Sequence, residues 1–171
     1  IACGATIAFA MECFEKGIIS TKETGGLELK FGNTEAMLET LRQIVTGSTE
    51  FGRTLGQGSE RAAQKWGNGA DEYLITVKGA EAPAHMPQAK RSLGLIYAVN
   101  PFGADHQSSE HDPGYTPDTA SYNLERMAEV GLTNPMSDRV LDREKVKMSL
   151  TTELNYCFMD TAVLCQFVYG P

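Results

Sequence analysis

The sequence has no cysteine pair of the CxxC kind, no uninterrupted apolar run of bilayer length, no basic excess and only three histidines. Each shortage narrows what the chain can do. Cys3, Cys13, Cys157 and Cys165 have no standard zinc-site spacing, and a chain of this size can bury a core without disulfide staples. Free thiols fit a reducing cytoplasm. Lys and Arg total 15 against 22 Asp and Glu, for a formal net charge of -7; a nucleic-acid surface needs positive charge to displace phosphate counterions. The apolar opening, IACGATIAFAMECF, is interrupted by Glu12 and falls short of the roughly 20 residues a spanning helix needs. No basic region leads it, so it does not read as a signal peptide. Neither a membrane nor a nucleic acid is an expected partner. GxGxxG, GxxxxGK[ST] and HExxH are all missing, which removes the usual phosphate loops and zinc-protease helix.

What is there is mostly helical pattern. Ala5 to Lys16 predicts a helix closed by Gly17, and Asn33 is placed to cap a helix over TEAMLETLRQIV that Gly47 ends. In that helix Met37, Leu38, Leu41, Ile44 and Val45 form an apolar stripe expected to face a core. STEFGRTLGQGSERAAQKWG predicts two short helices broken around Gly56-Gln57-Gly58, with Ser59 capping the second and Trp66 packed near its end. Leu27 to Phe31 alternates as a short strand or a merely extended segment, and YLITVKG is the best strand pattern. Further helices are expected over QAKRSLGLIYAV, over TASYNLERMAEVG up to Gly131, and, with breaks, from Ser137 to Phe167. No strand–helix alternation and no internal repeat occurs, so the expected fold is all-α and multihelical, with at most one or two short β segments. The chain starts without methionine and ends just after an apolar run; both ends read as cuts through a longer polypeptide.

Between two expected helices lies NPFGADHQSSEHDPGYTPD, long for a passive connector. It gathers Asp105, His106, Glu110, His111 and Asp112, side chains that carry protons or bind metals. The spacing fits a solvated polar loop as well as a catalytic or metal role, while His85 stands apart and reads as structural. Glu23 and Glu28 flank Thr24-Gly25-Gly26-Leu27; carboxylates can hold ring N–H groups and glycine lets backbone approach a flat ligand, but an ordinary turn has the same composition. Cys165, five residues after Asp160, is either a buried free thiol or one ligand of an iron–sulfur cluster, with Cys157 two helical turns before it. Glu12 and Glu15 could share a helix face, although a plain surface pair fits equally. Phe9, Phe14, Trp66 and the methionines read as core.

Taken together and in order, TIAFAMECFEKGI, GGLELKFGN, LGQGSERAAQKWG, VKGAEAPAH, SLGLIYAVNPFGADHQ and DTAVLCQFV resemble the aldehyde:ferredoxin oxidoreductase family over nearly the whole chain. The resemblance is to the second domain and the start of the third, which it implies over residues 1–115 and 116–171. It implies two pterin signatures, written DxxGLx and DxxGLC. The first falls on Glu23 to Glu28, with glutamate in place of the leading aspartate; the second falls on Asp160 to Cys165, with Val163 in place of glycine. By that likeness Glu23, Gly26, Leu27, Glu28, Asp160 and Leu164 contact pterin and Cys165 binds a [4Fe-4S] cluster. The other cluster ligands belong to a CxxCxxxC motif that this sequence lacks, and the resemblance places them before Ile1. His106, in the GADH match, is the implied catalytic histidine, with Asp105 as its orienter. The intact protein is expected to hold tungsten, or molybdenum, through two pterins. It is expected to oxidise aldehydes to carboxylic acids, to pass electrons to ferredoxin, and to associate as a homodimer around the remaining domains of the same polypeptide. The isolated segment is expected to be inactive and to keep no cofactor. Three rivals remain: a relative with another substrate, a scaffold that has lost the site, and a hydrolase built on the Asp105–His106 loop.

Overall fold

The structure, a computed structural model, describes residues 2–169. It is mostly helical, with one two-stranded antiparallel ribbon among the described residues, as the pattern predicts. The chain forms two compact units, Ile1–Pro83 and Ala84–Pro171. This division falls elsewhere than the 115/116 boundary drawn from the family resemblance, which concerns the domains of longer proteins.

In the first unit α1 (Ala2–Glu15) supplies Ile7, Phe9, Ala10, Met11 and Cys13 to the core. Trp66 stacks on Phe9 with centroids 5.7 Å apart and on Phe51 at 6.0 Å, geometries that add to the area these rings bury. Burial, and then the charge of Glu12, pushes the Cys13 thiol up to about 11, so it is an inert packing group. Glu12 pairs with Lys16, and Glu15 accepts from the Phe31 N–H; neither carboxylate faces a shared site.

Helix α2 (Thr34–Thr46) begins where expected, the Asn33 side chain accepting from the Ala36 N–H, and ends on Gly47 at φ 60. Its orientation differs from the sequence reading. Ala36, Thr40 and Gln43 are buried and Ile44 packs on the core, whereas Met37, Leu38, Leu41 and Val45 are exposed. The cause is the close approach of α3 (Glu50–Leu55): a Cβ on Gly52 would lie 2.3 Å from the Gln43 carbonyl oxygen. Only glycine lets the two backbones meet there. Gly52→Ala is therefore expected to destabilise the protein by about 1–3 kcal/mol, the range for overpacking, read as a lower denaturation midpoint.

Helix α4 (Ser59–Trp66) follows Gly58, which occupies the N-cap; Ser59 is one position inside the helix instead of capping it. The cap comes from elsewhere. Glu81 accepts from the Ser59 N–H at 2.7 Å, from Ser59 Oγ and from Thr6 Oγ1, joining α1 to α4. Glu81 sits on β2 (Ala80–Glu81), paired with β1 (Thr76–Val77) through Lys78 and Gly79, both at positive φ. Such a turn closes a tight hairpin. The pattern at YLITVKG thus contains a strand of only two residues, and Leu27 to Phe31 forms none. Burial acts to raise the Glu81 pKa, but the bonds from Ser59 and Thr6 outweigh it and hold the carboxyl below its usual range. A lowered folded pKa stabilises above the unfolded value, about 4.3, and that contribution is lost as pH falls through the folded one. Acid unfolding curves of Glu81→Gln are expected to be flatter below about pH 4 than those of the unsubstituted protein; identical curves would contradict this.

The second unit contains α5 (Arg91–Val99), α6 (Ser121–Glu129), α7 (Arg143–Thr161) and α8 (Gln166–Tyr169). Tyr115, Met127, Leu132 and Met148 form one buried cluster. Helix α7, capped by Asp142 through the Lys145 N–H, packs on α5. It buries Met148, Thr152 and Met159 but exposes Val146, Leu150, Leu154 and Phe158, an apolar ladder at four-residue spacing. Apolar faces on two sides are the pattern of a helix inside a larger assembly. No helix among the described residues is long and apolar enough to cross a membrane.

Candidate functional site

The loop singled out in the sequence divides by role. Asp112 is fully buried at the start of a single 3-10 turn, Asp112–Tyr115, and its carboxylate accepts from Ser92 N–H, Ser92 Oγ and Lys145 Nζ. Lys145, also fully buried, donates in addition to the Ser137 carbonyl. The pair ties the loop to the first turn of α5, where N–H groups lack helical partners, and to α7. Asp112 is a structural anchor, unavailable for proton transfer or metal binding. Asp105, the expected orienter of His106, accepts from the Gln107 N–H at 3.0 Å and from Ser108 Oγ, so both oxygens close its own turn.

His106 has different neighbours, which the sequence did not suggest. Its ring lies 5.2 Å from that of His85 and 6.3 Å from that of His111, while His85 and His111 meet edge to face at 4.7 Å. All the histidines of the chain converge here, because His85 precedes α5 and His106 follows it. His111 Nε2–H donates to the His106 carbonyl at 2.7 Å, which fixes its tautomer and the loop. Burial, then the positive fields of His111, Lys90 and His106, holds the His85 pKa below its ordinary value. The structural reading of an isolated His85 missed this, since no spacing in the chain links residues 85 and 106.

Two contacts carry the loop to the end of α7. Tyr156 donates to Glu110 at 3.0 Å, with its own pKa raised by burial and then by the Glu110 charge. Gln166 Nε2 donates to the Gln107 side chain. Around this end the signature-like segment has a definite backbone logic. Leu164 N–H donates to the Met159 carbonyl at 2.8 Å and Val163 N–H to the Asp160 carbonyl, with Val163 at φ 57. This is the paired closure of a helix whose first outside residue is left-handed, a place that favours glycine. Val163 keeps the glycine conformation despite its branched side chain, at a penalty of roughly 1–2 kcal/mol. Val163→Gly is accordingly expected to stabilise the end of α7 by about 1 kcal/mol, slowing local amide exchange about fivefold; faster exchange would contradict this.

Cys165 is exposed and free, not buried, and Asp160 is exposed; Leu164 is half-buried. Cys157 is also exposed, but α7 ends at Thr161, so the two thiols share no helix face. One free exposed thiol suits a single cluster ligand, and the exposed Asp160 carboxylate suits an acceptor for ring N–H groups. Among the described residues no group of three or more His, Cys, Asp or Glu side chains is placed to hold a metal ion.

In the first unit, Glu23 accepts from the N–H and the Oγ of Ser20, both at 2.7 Å, and these bonds lower its pKa. Glu28 is exposed and lies 3.8 Å from Lys30. Leu27 is half-buried against the core. Gly26 has φ 97, and a Cβ there would touch nothing within 4 Å, so the turn requires this glycine and no neighbouring group does. Glu23, Thr24 and Gly25 line a cavity of about 420 Å³ with Phe51, Lys65 and Trp66.

The mostly helical fold agrees with what sequence comparison finds. The family described as "Aldehyde ferredoxin oxidoreductase, domains 2 & 3" matches residues 1–170. The chain belongs to this family of oxidoreductases. It is 32% identical over 170 residues to the tungsten-containing aldehyde ferredoxin oxidoreductase of Pyrococcus horikoshii, covering 98% of this chain and 25% of that protein. The enzyme of the same name in Pyrococcus furiosus is 31% identical over 168 residues, with the same shares covered. A Pyrococcus furiosus protein named aliphatic sulfonate oxidoreductase, WOR-like subunit, is 35% identical over 176 residues, covering 98% of this chain and 22% of that protein. The chain thus spans about a quarter of the length of these relatives.

Proposed function

We propose that this chain is the central part of a longer tungsten-pterin oxidoreductase that converts aldehydes to carboxylic acids and passes the electrons through a [4Fe-4S] cluster to ferredoxin. The observation that carries the reading is the end of α7: a glycine-type turn kept at Val163, followed by a free, exposed Cys165 and joined to the His106 loop through Gln107 and Gln166. In this reading Cys165 is one cluster ligand, and Asp160 and Leu164 contact pterin. When bound, the metal-pterin group supplies the redox chemistry. His106 takes up or delivers a proton at a ring nitrogen, and His111, bonded to the His106 carbonyl, keeps the loop in place. Asp105 contributes by shaping the turn that presents His106. Glu23, Gly26, Leu27 and Glu28 enter the proposal through the family resemblance and through the cavity that Glu23 lines; Ser20 already engages one Glu23 oxygen.

The apolar ladder on α7 and the outward stripe on α2 support partners in the remaining domains of the same polypeptide. A homodimer and a cytoplasmic location belong to the same proposal. So does tungsten as the metal, with molybdenum as the other metal of suitable chemistry. A second reading, oxidation of an aliphatic sulfonate as part of a larger complex, is favoured by the 35% identity to the subunit of that name. The test is substrate-dependent dye or ferredoxin reduction by the purified full-length protein. Reduction with aldehydes supports the first reading; reduction with sulfonates alone supports the second. Activity with neither, in protein carrying metal and pterin, contradicts both.

A further inference from the structure

We propose that His85 is the proton acceptor for His106, so that the two imidazoles form a relay from the reaction site to solvent. The inference rests on the reading that places His106 at that site. Oxidising an aldehyde with water releases protons as well as electrons. A histidine that takes up one of them must be emptied before the next turnover.

The structure gives His106 a route for that proton. Among the described residues, the ring nitrogens of His85 and His106 have no hydrogen-bond partner, whereas His111 uses Nε2 to hold the His106 carbonyl. The rings of His85 and His106 lie 5.2 Å apart at 41°. At that separation nitrogens can meet directly or through one water. His111 packs edge-on against His85 at 4.7 Å and so helps to hold its ring. All three are half-buried, so His85 keeps part of its surface in solvent.

The step is a proton transfer alone. The N–H bond of protonated His106 breaks as an N–H bond forms on His85, and His85 then gives its proton to bulk water. No electron moves in it. Burial first, then His111, Lys90 and His106, disfavour a resident charge on His85, so His85 passes the proton on instead of storing it, and its loss to bulk water draws the transfer forward. The nearby carboxylates are occupied elsewhere: Asp105 by its own turn, and Glu110 by Tyr156 and the His111 N–H. Neither competes for the proton.

The test uses the full-length protein loaded with its cofactors, with His106→Gln as the control and His85→Gln as the probe. His106→Gln should lower turnover about a hundredfold, in the range lost with a general acid–base group. His85→Gln should lower turnover about tenfold at neutral pH, change its pH profile and be restored by added imidazole buffer. A slower variant that imidazole does not rescue would assign His85 a structural role and overturn the relay. Unchanged turnover in His85→Gln while His106→Gln is impaired would overturn the relay and leave the site intact. Unchanged turnover in both would remove His106 from the site and the relay with it. Independently of turnover, histidine-labelled unsubstituted protein should show His85 and His106 titrating in coupled steps by NMR. Independent single-step titrations would overturn the proposal.

Discussion

Replacing Asp112 with alanine is expected to destabilise the protein by about 3–5 kcal/mol, the range for stranding a buried charge. Lys145 and Asp112 have fully buried side chains. Removing the carboxylate leaves the Lys145 ammonium with only the Ser137 carbonyl and strips the Ser92 N–H of its acceptor. The loss should appear as a large drop in denaturation midpoint, with the His106 loop exchanging its amides faster because Asp112 holds its far end. Replacing both partners, as Asp112→Ala with Lys145→Met, is expected to recover much of that loss, since no unpaired charge remains. A fall of less than about 1 kcal/mol in the single variant would show that the ion pair is not the anchor described.

Cys165→Ala in the full-length protein is expected to abolish electron transfer to ferredoxin. Its thiol is free and exposed, and among the described residues no group of three or more His, Cys, Asp or Glu side chains is placed to hold a metal in its stead. A cubane cluster is held by about four cysteine thiolates, so losing one should lower iron content and bleach the cluster's visible absorbance. Cys157→Ala should leave both unchanged. If the Cys165 variant keeps its iron and its visible spectrum, Cys165 is not a ligand.

The fold was legible because helix boundaries are written locally. Asn33 and Gly47 frame α2, Gly131 follows α6, and the structure finds each in that place. Facing is not written locally. The stripe of Met37, Leu38, Leu41 and Val45 shows that one side of α2 is apolar, but the contact through Gly52 decides which side the first unit buries. The candidate site was legible only in part. Asp160 to Cys165 was marked through the family resemblance, because its residues are consecutive, and Val163, at the signature's glycine position, is the left-handed residue after a helix. The role of Asp112 was hidden because its partners, Ser92 and Lys145, lie far along the chain in both directions. His85 was hidden for the same reason, brought to His106 only when the intervening segment folds.

Metal and pterin analysis of the native full-length protein tests the central claim most directly. The account predicts about one tungsten per chain together with pterin and roughly four irons of a cluster that Cys165 helps to hold. Properly matured protein with neither pterin nor tungsten would contradict it and leave a retained scaffold with another task.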